Sequence, residues 1–173
     1  MFSIDYNINY EDKLVRAFGL KFMKYFGCDF IEHPNDKKID LISVNSEYFG
    51  VELELGGWYG NYWENDYYPF KSNLEFPTVN MQLRKIKYWF EKINNALVPN
   101  NEINFYIRTN RQLTQAIVIG PKVIKNKENI IFCRFKAGNS PKAEDWMCFR
   151  REDVLTYDLK DGNWILQKNN KNV

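Results

Sequence analysis

Lys38-Ile39-Asp40-Leu41-Ile42-Ser43-Val44, followed by Phe49-Gly50-Val51-Glu52-Leu53-Glu54-Leu55, reads as a pair of β-strands with three carboxylates set into otherwise apolar runs. Strand side chains alternate between faces, so Val51, Leu53 and Leu55 point one way while Glu52 and Glu54 stand together on the other, roughly 7 Å apart. Two carboxylates on one side of an apolar strand repel each other and are costly to desolvate unless a metal ion or a basic side chain lies between them. Asp40 joins them only if it pairs with position 52 or 54. Pairing with 52 leaves Asn45, Ser46 and Glu47 as the loop, and pairing with 54 leaves Ser46, Glu47 and Tyr48. A four-residue loop would turn Asp40 to the wrong face unless a bulge corrected it. A cluster of Asp40, Glu52 and Glu54 offers oxygen ligands only, the set preferred by Mg²⁺, with Mn²⁺ as a substitute, or by Ca²⁺.

The rest of the composition is consistent with this. The 173 residues suit a single domain spanning 1–173 with a polar tail from about residue 168, and 45% hydrophobic and 17% aromatic residues supply a core. No run is long and apolar enough for a membrane helix, and Met1-Phe2-Ser3-Ile4-Asp5-Tyr6 has no signal-peptide character, so an intracellular location is expected. Cys28, Cys133 and Cys148 are odd in number and scattered, which predicts reduced core thiols and no zinc site. With His33 as the one histidine, mechanisms that need two histidines in one chain are excluded. The net charge of +2 says little about partners, but basic residues gather at Arg84-Lys85-Ile86-Lys87, at Lys122 to Lys127 and at Arg150-Arg151.

Upstream, Asn9-Tyr10-Glu11-Asp12 has the form of a helix start. Leu14, Val15, Phe18, Phe22, Tyr25 and Phe26 then recur at helical spacing, and Gly27 is a stop. Glu11 lies on that apolar face; it either looks inward toward the sheet or merely complements the helix dipole. Cys28 to Glu32 is a short strand and His33 to Asp36 a turn. From Gly56 to Phe76 the chain has no clear period and carries Trp58, Tyr59, Tyr62, Trp63, Tyr67, Tyr68 and Phe70; so long an excursion is uncommon unless functional. A helix is predicted from about Pro77 to Asn94, with Ile86, Trp89, Phe90 and Ile93 as its buried stripe and Arg84, Lys85, Lys87 and Lys92 off it. Strands follow at Ile103–Arg108 and Gln115–Ile119, then further C-terminal elements, including Ile130–Phe135 and a short helix at Arg151–Leu155.

The order helix, strand, strand with an acid, strand with Glu52-Leu53-Glu54, helix, strand resembles the core of the PD-(D/E)xK nuclease superfamily. Ile39 stands where the family has proline, and Glu54 stands where it has lysine. Val51-Glu52-Leu53-Glu54, the aromatic segment, Phe76-Pro77-Thr78-Val79-Asn80, Arg84-Lys85-Ile86-Lys87, Phe105-Tyr106-Ile107 and Leu113-Thr114-Gln115-Ala116 also resemble a group of nuclease-like bacteriophage proteins. The resemblance implies an α/β (α+β) fold with a restriction-endonuclease-like core. Its central mixed β-sheet is flanked by helices in the order α-β-β-β-α-β, with additional C-terminal strands. It also implies a Mg²⁺-dependent endonuclease acting on DNA, RNA being an alternative, in the cytoplasm of an infected bacterial host, with no membrane partner and with homodimerisation as in many relatives.

Carried onto this chain, the resemblance makes Asp40 and Glu52 the metal ligands, with the Leu53 carbonyl as a third and Glu11 completing the site from the first helix. Glu54 orients the water or binds a second ion, and Lys85 replaces the missing strand lysine, with Arg84 as substitute. Arg84 and Lys87, together with Trp58 and Tyr62, become nucleic-acid contacts, the rings stacking on unpaired bases. The plainer alternatives are solvated helix charges and aromatic residues that cap the core. A nuclease-like fold retired into a binding module for phage assembly or counter-defence is the competing function.

Overall fold

The computed structural model describes residues 4–35, 37–56, 78–135 and 142–167. Helix α1 spans Ile4–Tyr25 and buries Val15, Phe18, Phe22 and Met23, of which Val15, Phe18 and Phe22 follow at three- and four-residue steps and so fall on one side of the helix. It ends as the sequence predicts. Gly27 adopts φ +78°, its N–H donates to the Lys24 carbonyl at 2.9 Å, and the Cys28 N–H donates to the Met23 carbonyl at 3.0 Å, the paired bonds of a glycine-terminated helix. The start differs, because the helix runs through Asn9 instead of beginning there.

Strands β1 (Phe30–Glu32), β2 (Leu41–Ser43) and β3 (Ser46–Leu55) follow, then β4 (Thr78–Gln82), β5 (Phe90–Ile93), β6 (Ala96–Pro99), β7 (Ile103–Thr109) and β8 (Gln115–Ile119). A four-residue helix α2 (Pro121–Ile124), β9 (Ile131–Phe135), β10 (Glu144–Arg150), β11 (Leu155–Lys160) and β12 (Asn163–Leu166) complete the described chain. Seven strands form one mixed sheet in the order β1-β2-β3-β7-β8-β11-β12, in which β3 and β7 run parallel and the other neighbours antiparallel. β4, β10 and β9 form a second, antiparallel sheet, and β5 and β6 a hairpin. The architecture is a mixed α+β fold around a mixed central sheet.

The helix predicted over 77–94 is absent. Its place is taken by β4, a 3-10 turn over Leu83–Tyr88, and β5. Val79 and Met81 are fully buried while Asn80 and Gln82 are not, so a period of two overrides the helical spacing of Ile86, Trp89, Phe90 and Ile93. Asn94 and Asn95 both take positive φ, at 47° and 63°, the requirement of a tight two-residue hairpin turn. Likewise the expected helix at Arg151–Leu155 is a single 3-10 turn, Arg151–Asp153, entering β11. Cys133 on β9 and Cys148 on β10 lie near each other, with Cα atoms 7.0 Å apart, and Cys28 stands apart from both.

The core lies in two layers. Between α1 and the large sheet pack Phe18, Phe22, Leu41, Val51, Leu53 and Ile107. On the opposite face Tyr106, Ile117 and Ile119 meet Val79, Met81, Met147 and Phe149 of the second sheet, with Trp89 buried among them. Helix and sheet approach closely at Gly19, where a Cβ would stand 2.7 Å from Leu53 Cδ1. No helix among the described residues is long and apolar enough to cross a membrane.

Candidate active site

The β2–β3 turn is Val44-Asn45, shorter than either loop the sequence predicts, with Ser43 opposite Ser46. Left uncorrected, that register would turn Asp40 away from Glu52. A bulge after Ile42 shifts it, so that Ile42 faces Gly50 and Leu41 faces Val51, and Asp40, just before β2, arrives beside residues 52 and 53. Parallel pairing sets Glu52 next to Tyr106 and Glu54 next to Arg108, all four on the face turned from α1.

Each acid is met by a base. Asp40 Oδ1 accepts from Arg16 Nη2 at 2.8 Å and Oδ2 from the Leu53 N–H at 2.7 Å, while Arg16 also holds the Asp40 carbonyl at 3.0 Å and Asp12 Oδ2 at 3.0 Å. Lys85 Nζ lies 3.0 Å from Glu52 Oε1 and 3.5 Å from Glu54 Oε2. Glu54 Oε2 also accepts from the Tyr106 hydroxyl at 2.6 Å, and its Oε1 is 3.8 Å from Arg108 Nη2. Among the carboxylate oxygens of these described residues, Glu52 Oε2 is buried and has no hydrogen-bond partner.

The ionisation behaviour follows this asymmetry. Burial, reinforced by the Asp40 and Glu54 carboxylates and only partly offset by Lys85, pushes Glu52 up to about 7. Asp40 is also raised by burial, against the pull of the Leu53 N–H and Arg16. Burial works against a charged Glu54 too, yet Arg108, Lys85 and the Tyr106 hydroxyl outweigh it and hold Glu54 below the ordinary value. Burial works against the ammonium of Lys85, but Glu54 and Glu52 overcome it and raise Lys85.

Asp40, Glu52 and Lys85, with Arg16, line a cleft of about 390 Å³ that has the exposed Lys38, Arg84 and Lys87 along its edge, while Glu54, Tyr106 and Arg108 lie behind its wall. The sequence reading of Asp40, Glu52, Glu54 and Lys85 as neighbours is thus met in space, although Lys85 arrives on a 3-10 turn and not on a helix. Arg84 and Lys87 flank it on that turn. Glu11 is elsewhere: it pairs with Arg111 at 3.6 Å, and the α1 acid that lines the cleft is Asp12. Trp58 and Tyr62 lie outside the described residues. Arg16, Tyr106 and Arg108 were missed by the sequence reading, yet two carry a signal: Tyr106-Ile107-Arg108 has the same two-residue spacing as Glu52-Leu53-Glu54, on the strand beside it. Arg16 follows Asp12 by one helical turn among buried neighbours.

Among the described residues no three carboxylate, histidine or cysteine side chains converge into a metal cage by themselves. The donor set still suits a hard divalent ion. Glu52 Oε2 is unpartnered, and each Asp40 oxygen accepts one bond from protein and so retains a second lone pair. No family model, curated protein or solved structure matches the chain.

Proposed function

We propose that the protein is a metal-dependent nuclease that hydrolyses phosphodiester bonds in DNA, with RNA as an alternative substrate. The observation that carries this reading is a cleft lined by Asp40, Glu52 and Lys85 and edged by basic residues, in which Lys85 holds Glu52 Oε1 while Oε2 is buried without a hydrogen-bond partner. The Glu-x-Glu strand and the resemblance to PD-(D/E)xK nucleases and to nuclease-like bacteriophage proteins support it, and with them a site of action in an infected bacterial cell.

In this reading Asp40 and Glu52 would hold Mg²⁺ or Mn²⁺, which when bound would supply positive charge at the phosphate and lower the pKa of a water. Arg16 and the Leu53 N–H fix the Asp40 carboxylate in place, so little reorganisation is needed on binding. Lys85 leans toward the phosphate and compensates its developing charge, the part the family gives to a strand lysine. Glu54 keeps that ammonium charged and oriented, and is itself held by Tyr106 and Arg108. Lys38, Arg84 and Lys87 meet the flanking phosphates.

The decisive assay measures cleavage of single-stranded, duplex and flapped DNA and of RNA with millimolar Mg²⁺ or Mn²⁺. Activity is expected in the parent protein and lost in Asp40→Ala, Glu52→Ala and Lys85→Met, with folding checked by circular dichroism. Cleavage that persists in Glu52→Ala overturns the reading.

A second reading has an observation of its own. Asp40, Glu52 and Glu54 are matched one for one by Arg16, Lys85 and Arg108, as expected of a retired site serving as a binding module. An inert protein that binds a protein partner regardless of substitutions at residues 40 and 52 would establish it.

A further inference from the structure

The cleft holding Glu52 and Lys85 is continued by a second cavity of about 270 Å³, and the two share Lys38, Lys87 and Tyr88. The sheet dictates their adjacency. Gly50 and Asn104, which line the second cavity, stand on the same face of β3 and β7 as Glu52 and Tyr106 and precede them by one side-chain repeat, ~7 Å along the strands. A Cβ on Gly50 would come within 2.8 Å of Asn104 Oδ1 and 3.1 Å of the Leu41 carbonyl, so the bare backbone there makes room for the Asn104 amide. That amide donates to the Tyr88 carbonyl and to Glu102 Oε2, both at 2.8 Å. The Tyr88 hydroxyl donates to the Lys38 carbonyl at 3.4 Å. Tyr88, which lines both cavities, is therefore held at its backbone carbonyl and at its hydroxyl.

We propose that this second cavity is a nucleoside subsite. It takes the unpaired base and sugar of the nucleotide next to the phosphate at Lys85, which makes single-stranded or flapped nucleic acid the substrate class. The inference rests on the reading of the cleft as a phosphodiester site. Ile39, Ile42 and the Tyr88 ring give apolar and aromatic walls for a planar heterocycle, and Glu47 and Glu102 offer carboxylates to its amino groups. At about 270 Å³ the cavity falls just below the ~300–1,000 Å³ of drug-sized ligand sites, a size for one nucleoside and not for a helix. A paired base would have to leave its stack to enter, at a cost of about a few kcal/mol that an unpaired base does not bear.

The test needs neither metal nor cleavage. The full-length protein, labelled at isoleucine methyl groups, is titrated with cytidine, cytidine monophosphate, inorganic phosphate, and matched single-stranded and duplex oligonucleotides. The nucleoside and its monophosphate should move the Ile39 and Ile42 resonances, inorganic phosphate should not, and the single strand should bind about tenfold or more tightly than the duplex. Ile42→Trp, read at Ile39, and Glu47→Trp, read at both isoleucines and placed at an exposed position that leaves packing intact, should fill the space and abolish both the shifts and the single-strand preference. Unmoved Ile39 and Ile42 resonances, equal binding of duplex and single strand, or a preference that survives both tryptophan variants would overturn the inference. The outcomes separate from those of the cleavage assay. Nucleoside binding in an inert protein removes the nuclease reading alone, and cleavage without the isoleucine shifts removes the subsite alone.

Discussion

At Glu52 burial and charge pull against each other, and the folded protein settles the contest by holding the proton up to about pH 7, against an ordinary value of 4.5. Below the ordinary value both folded and unfolded chains carry the proton. Between the two values the unfolded chain releases it first, so stability falls as pH rises, by about 3 kcal/mol in total for this group. Glu54 acts in the opposite direction: its lowered value contributes stability that is lost as the solution turns acid. Replacing Glu52 with glutamine, which mimics the protonated acid, should therefore stabilise the protein by about 1–3 kcal/mol at about pH 8 and change little at about pH 4. Urea unfolding curves at both pH values check this, and coincident curves at the higher one would refute it. Metal binding requires the deprotonated acid, so affinity for Mn²⁺ should climb through about pH 7. Lys85→Met leaves Glu52 and Glu54 facing each other without their shared ammonium and should cost about 3–5 kcal/mol at neutral pH. Millimolar Mn²⁺ should recover part of that loss, because the ion supplies the missing charge. These acids were legible in the sequence because carboxylates inside apolar strands demand partners. Their partners were less so, since Arg16 and Arg108 become meaningful only once α1 and β7 are docked beside β3.

At the scale of elements, α1 and β3 meet across Gly19, and two effects oppose each other there. Alanine gains up to about 1 kcal/mol of helix propensity over glycine. Its Cβ, however, would lie 2.7 and 2.8 Å from the two Leu53 methyl groups and 3.0 Å from Leu41 Cδ1, and overpacking of a buried contact costs about 1–3 kcal/mol. Gly19→Ala should lower stability by about 0–2 kcal/mol on balance and displace the backbone N–H of Leu53 that holds Asp40. Thermal unfolding reads the first effect, and the Leu53 amide resonance the second. Helix α1, its glycine stop, and strands β3, β7 and β8 follow from periodicity and end signals, and the sequence reading found them. Residues 77–94 did not yield in the same way. Ile86, Trp89, Phe90 and Ile93 imitate a helical stripe, while the evidence against a helix lay in Val79 and Met81 alternating with polar neighbours and in Asn94-Asn95, a hairpin turn between two short apolar segments. The β2–β3 register was half legible: the requirement that Asp40 share a site with Glu52 was clear, but the bulge that satisfies it depends on tertiary packing.

Over the whole molecule, the helix, the seven-stranded sheet and the smaller sheet form successive layers, and the candidate site lies where the two outer layers each send a cation toward the middle one. Arg16 comes from α1 and Lys85 from the turn after β4. Filling the site with Mn²⁺ at about a hundred times its Kd should add about 2.7 kcal/mol and raise the melting temperature by roughly 5–10 °C. Asp40→Ala should abolish the rise, and calorimetry with and without metal measures it. Trp89, fully buried between the sheets and donating through Nε1 to the Asn104 carbonyl at 2.7 Å, anchors the segment that carries Lys85. Its replacement by alanine should cost about 3–5 kcal/mol in urea unfolding. The parallel alignment of β3 with β7 has a kinetic corollary. The chain must complete a long detour before Tyr106 and Arg108 can reach Glu54, and distant pairings of this kind close late and slowly. During refolding, the acidic strand therefore waits in water with its charges unmatched. Mildly acidic buffer, which quiets part of that self-repulsion, should hasten assembly, and through the raised Glu52 it also favours what is finally built.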